Sequence, residues 1–108
     1  MITVDIEKQG RVAIVSVKGR LDASTSAELE KKLAEAAGPE MKPLVLDFHA
    51  LEYISSAGLR VLISLCQTKQ KAVVCSMPEL VAEVFDISGL SSMFERYDDR
   101  ASAVKALA

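Results

Sequence analysis

A single histidine, two cysteines and a near-balance of charge set the first limits on this chain of 108 residues. A serine hydrolase needs a nucleophile, a base and an orienting acid. His49 is the only imidazole, it follows an apolar run where a loop or capping role suits it, and the serines downstream are not set in G-x-S-x-G. One histidine with scattered carboxylates is no recognisable metal-ligand set. Neither G-x-G-x-x-G nor G-x-x-x-x-G-K-[ST] occurs, so the chain carries no phosphate-binding fingerprint. An autonomous enzyme is therefore not expected, nor is a bound cofactor or metal.

Other absences narrow the setting. Cys66 and Cys75 form neither a CxxC nor a metal-ligand spacing, and they read as buried free thiols in a reducing compartment. A formal charge of −2 gives no reason to expect direct nucleic-acid binding or an anionic membrane surface as partner. No apolar run approaches the roughly 18 residues that a bilayer span requires. Met1-Ile2-Thr3-Val4 opens directly in strand-like sequence, so no targeting segment is expected and the cytoplasm is the expected location.

What is present suits one ordinary globular domain over residues 1–108, half of them hydrophobic and about a quarter charged. Ile2, Val4 and Ile6 alternate with polar residues as in a half-buried strand. After Lys8-Gln9-Gly10, residues 12–17 read as its hairpin partner, and Lys18-Gly19-Arg20-Leu21-Asp22 as a break. Thr25 and Glu28 fit a capping box for a helix over residues 27–37, with Leu29 and Leu33 on its apolar face. Gly38-Pro39 ends that helix. Residues 44–48 read as a buried strand, followed by a helix to about residue 69 and a short strand over 72–76. Pro78 suits the first turn of a helix with Leu80, Val81, Val84 and Phe85 as its apolar stripe. Ser88-Gly89 closes it. Residues 93–97 are a candidate edge strand, and Asp98-Asp99 open a last helix with Ala103, Val104 and Leu107 apolar. The expected fold is α/β with a mixed sheet, in the order β-β-α-β-α-β-α-β-α.

The chain is organised around Tyr53-Ile54-Ser55-Ser56-Ala57-Gly58-Leu59-Arg60-Val61-Leu62. Leu59, Leu62, Ile63 and Cys66 recur at helical spacing, so the serine pair lies where a strand hands over to a helix. Such a junction presents free N–H groups and the positive end of the helix dipole. Two readings stand: an ordinary serine N-cap with small residues for close packing, or a serine that accepts a phosphoryl group. Asp22 and Asp47 both end elements that are expected to converge near the pair, where added phosphate would turn the local field strongly negative.

Four stretches, in order, also resemble one family: Val17-Lys18-Gly19-Arg20-Leu21-Asp22; Leu44-Val45-Leu46-Asp47-Phe48; Tyr53-Ile54-Ser55-Ser56-Ala57-Gly58-Leu59; and Val84-Phe85-Asp86-Ile87-Ser88-Gly89-Leu90 with Phe94 and Tyr97-Asp98-Asp99. Together they resemble the STAS domain of anti-sigma-factor antagonists. That resemblance implies a STAS-like fold and a bacterial partner switch. The unphosphorylated protein would bind an anti-sigma factor that is also a serine kinase, and so release the sigma factor. Phosphorylation would end binding, and a metal-dependent serine phosphatase would reset the cycle. ATP and metal would belong to the partners. The acceptor it implies is Ser56, with Ser55 as second choice because Ser55 stands where the family usually has Asp. The position after the acceptor is Ala57 here, where Ser or Thr is common. Asp22, Asp47, Ser55, Ser56, Ala57, Gly58 and Arg60 are the expected docking residues. Lys69-Gln70-Lys71 lacks the glycines often found before the fourth strand. The alternative is a STAS docking module of a signalling or transporter complex that works without phosphorylation.

Overall fold

The computed structural model describes residues 1–108 throughout. Its sheet is built on a hairpin of β1 (Ile2–Gln9) and β2 (Val12–Leu21), antiparallel in a register from Ile2 opposite Gly19 to Gln9 opposite Val12. β2 is the longest strand. Its far edge is shared by two short parallel strands, β3 (Leu44–Asp47) beside residues 13–16 and β4 (Leu51–Ile54) beside residues 19–21. β5 (Ala72–Cys75) pairs with β3, and the two-residue β6 (Arg96–Tyr97) pairs with β5, both in parallel.

Four helices cover this sheet unequally. α1 (Ser26–Ala37), α2 (Ser56–Cys66) and α3 (Glu79–Ser88) bury Leu29, Leu33, Val61, Leu62, Val81 and Phe85 against Ala13, Val15, Leu44, Leu46 and Val74. α4 (Arg100–Leu107) covers the other face, where Ala103 meets Val12, Ile14, Val45, Val73 and Cys75. Because β3 is sandwiched between these layers, all four of its residues are buried, which is why it reads as an unbroken apolar run. Within the larger cluster Phe85 lies edge-on to Phe48 and tilted against Phe94, each at 6.1 Å between ring centroids.

The observed order is β-β-α-β-β-α-β-α-β-α, with a 3-10 turn over Leu90–Ser92 before β6. It differs from the sequence expectation by one strand. Residues 18–22 do not break β2: the strand runs on to Leu21 through a register shift between Gly19 and Arg20. Gly19 sits at φ +104°, and a Cβ there would come within 2.5 Å of the Met1 carbonyl oxygen, so only glycine lets the strand continue. The edge of this extension is what β4 pairs with, and Tyr53 and Ile54 lie in that added strand.

Three further expectations change. Thr25 makes no cap bond to α1; its hydroxyl donates to the Arg20 carbonyl at 2.9 Å and accepts from the Asp22 N–H at 2.9 Å, so it fastens the β2–α1 turn and the capping box does not form. The strand expected over 93–97 shrinks to Arg96–Tyr97 because Phe94 turns into the core. Leu80 is 58% exposed, leaving Val81 and Phe85, with Val84 beside them, as the apolar side of α3. No helix is long and apolar enough to cross a membrane.

Candidate functional site

β2 and β4 end together, and that shared end builds the site. The Ser55 N–H donates to the Leu21 carbonyl at 2.8 Å, which sets the turn after β2 beside the start of α2. Arg20 and Tyr53 are paired across the same two strands, with the guanidinium 4.2 Å from the ring centroid.

The two serines hold different positions. Ser55 is extended, with φ −97° and ψ 176°, and is the N-cap of α2; its hydroxyl oxygen accepts from the Gly58 N–H at 3.4 Å. Ser56 is the first helical residue, it is exposed, and its hydroxyl has no partner within the protein. Geometry thus separates a structural serine from a free one. Ala57 is half-buried and Arg60 exposed. Gly58 is buried: a Cβ there would lie 2.6 Å from Leu21 Cγ, 2.9 Å from Leu21 Cδ2 and 3.1 Å from Ile54 Cγ1. Its small size serves the protein's own packing, letting α2 lie directly on the ends of β2 and β4.

Asp22 reaches the same corner through the Leu21–Ser55 bond. Its carboxylate accepts from the Ser24 hydroxyl at 2.7 Å, the Ser24 N–H at 3.0 Å and the Thr25 hydroxyl at 3.3 Å. The Ser24 hydroxyl, foremost among these donors, holds its pKa below the ordinary value of 3.8, so the group is an anion at neutral pH.

Asp47 does not converge on the serines. It continues the Val45 side of β3, on the face beneath α4, and that parity carries its carboxylate to the far side of the sheet. There Arg100 donates through Nε at 2.9 Å, and the His49 N–H donates at 3.1 Å with the His49 ring 3.2 Å away. Arg100 also donates to the Ser16 hydroxyl at 2.7 Å and approaches Glu7 at 3.6 Å. Burial alone would raise the Asp47 pKa, but the donors from His49 and Arg100 outweigh it and hold the group low. The two-residue alternation from Val45 to Asp47 is the sequence signal for this side of the sheet, while the partner in α4 lies 53 residues away.

Cys66 is half-buried and Cys75 buried, both free, and burial raises both thiols. No group of three or more histidine, cysteine, aspartate or glutamate side chains is placed to hold a metal ion. A concavity of about 360 Å³ between α1 and α2 is lined by Leu33, Ala37, Met41, Val61 and Leu65 among others, and includes none of Ser55, Ser56, Asp22 and Asp47. What the corner offers is an exposed Ser56 hydroxyl on a fixed frame, with Arg60 exposed one turn further along the same helix.

The fold and this corner define a class. The STAS domain model matches residues 3–103, and the chain belongs to the STAS domain family. A relative in Bordetella bronchiseptica, BtrV, described as an anti-sigma factor antagonist, is 34% identical over 105 residues, covering 94% of this chain and 90% of BtrV. The crystal structure of an anti-sigma factor antagonist from Mycobacterium paratuberculosis superposes with a TM-score of 0.87 at 28% identity, over 99% of this chain and 94% of that one. SpoIIAA, an anti-sigma factor antagonist solved unphosphorylated, shares the fold at a TM-score of 0.76 and 17% identity, over 96% of this chain and 95% of its own; its phosphorylated form, from Bacillus, gives 0.72 at 16%, over 98% and 100%.

Proposed function

We propose that this protein is an anti-sigma-factor antagonist switched by phosphorylation at Ser56. One observation carries the choice of residue: at the head of α2, the Ser56 hydroxyl is exposed and unbonded while the Ser55 hydroxyl is occupied as the cap. The kinship with BtrV supports the general role, and the existence of SpoIIAA in a phosphorylated form supports the kind of switch. In this reading the unphosphorylated corner of Asp22, Ser55, Ser56, Ala57 and Arg60 docks an anti-sigma factor that is itself a serine kinase, and the sigma factor is released. The kinase supplies nucleotide, metal and base; Ser56 only has to present its oxygen in line with the γ-phosphate. The phosphoryl group then adds about −1.5 to −2 charges beside ionised Asp22, which disrupts docking without refolding the domain. A serine phosphatase restores the hydroxyl.

The test is a titration of purified anti-sigma factor against Ser56→Asp and Ser56→Ala. Binding weakened several-fold or more by Ser56→Asp, and retained by Ser56→Ala, is the expected result. Equal binding by both would replace the switch with a docking module that works without phosphorylation.

A further inference from the structure

Ser56 and Arg60 are four residues apart on α2, so their side chains stand on one face, a turn apart. Both are exposed. Long side chains on a helix lean back toward its N-terminus, which carries the guanidinium of Arg60 toward Ser56. Three other arginines are already committed: Arg20 lies over the Tyr53 ring, Arg96 pairs with Asp86 and Arg100 with Asp47, while Arg11 lies away from this corner in the β1–β2 turn. Arg60 takes part in none of the ion pairs. The first turn of α2 has no acidic residue and its cap is a neutral serine, so no carboxylate on this stretch competes for the cation.

Resting on the reading of Ser56 as the phosphoacceptor, we infer that Arg60 holds the phosphate once it is formed. The guanidinium folds back one turn onto the phosphoserine as a charge-assisted donor. Modification then changes the docking face twice: it adds the phosphate's negative charge and withdraws a positive charge that the unmodified protein presents there. Arg60 acts as a positioning residue of the switch, without contact with the reacting atoms of the kinase.

Genetic incorporation of phosphoserine at position 56 makes the test independent of any kinase. Phosphorus NMR then follows the second ionisation of the phosphate, which lies ordinarily near pH ~6, in proteins with Arg60, Arg60→Gln and Arg60→Lys. Arg20, Asp22, Glu52 and Tyr53, the charged or titratable groups at the ends of β2 and β4, are common to all three. The expected midpoint is lower with Arg60 than with Arg60→Gln by about 0.3 of a pH unit or more, and Arg60→Lys falls between. Identical midpoints for Arg60 and Arg60→Gln would overturn the inference. Undiminished binding of the phosphorylated protein to the anti-sigma factor would overturn the switch instead, whatever the midpoints show.

Discussion

At the scale of single residues, the corner is decided by one atom that is absent. Gly58 is helical and needs no unusual backbone, yet its missing Cβ is what lets α2 rest on Leu21, a fully buried side chain, and on Ile54. Gly58→Ala should therefore cost about 1–3 kcal/mol through overpacking, read as a lowered midpoint in urea unfolding with little change in slope. A loss below a few tenths would mean that Leu21 has room to move. The family resemblance counts Gly58 among the expected docking residues. It could not show the contact with Leu21, which depends on where β2 ends. The split between the two serines was equally hidden: both fit a cap, and only the backbone angles of Ser55 assign that role.

Elements with their own period were legible, and elements defined by a neighbour were not. β1 and the helices carry alternation or a helical stripe in their own residues and β3 an unbroken apolar run, and they stand close to where those patterns put them, α2 ending at Cys66 instead of about residue 69. β4 has four residues, Leu51-Glu52-Tyr53-Ile54, whose two buried members are three apart; no two-residue period marks it, and its existence follows from the edge that the extended β2 leaves open. The same logic applies to the cap of α2. Ser55→Ala removes one weakly placed bond, so the expected loss is near the lower end of the range for N-caps, about 0.5–1 kcal/mol, measured by thermal or urea unfolding. Phosphopeptide mapping after incubation with the partner kinase should still find the phosphate on Ser56 in that variant. Phosphate that disappears with Ser55 would move the acceptor to the cap.

At the scale of the whole molecule, α4 is a small helix tied across the sheet by charge. Its buried contact is chiefly Ala103 with a few aliphatic side chains, while Arg100 spans Glu7 on β1, Ser16 on β2 and Asp47 on β3. Asp47 is 4% exposed, so Arg100→Gln leaves a buried carboxylate without its main cationic partner and should cost about 1–3 kcal/mol at neutral pH. The sign of the pH effect follows from the depressed Asp47 pKa. The folded state favours the anion more than the unfolded chain does, so this stabilisation is present in full above the ordinary value of 3.8 and is lost as pH falls through the lower folded value. Asp22 and Asp99 are depressed as well, by their own hydrogen bonds, and contribute to the same acid limb from outside the core. Asp47→Asn isolates the buried part. Urea unfolding of the parent and Asp47→Asn proteins, repeated from pH 7 down to about pH 3, should give two stability curves that converge toward the acid end, the variant's being the flatter. Parallel curves across that interval would mean that the Asp47–Arg100 tie fixes the position of α4 without stabilising the fold through its charge.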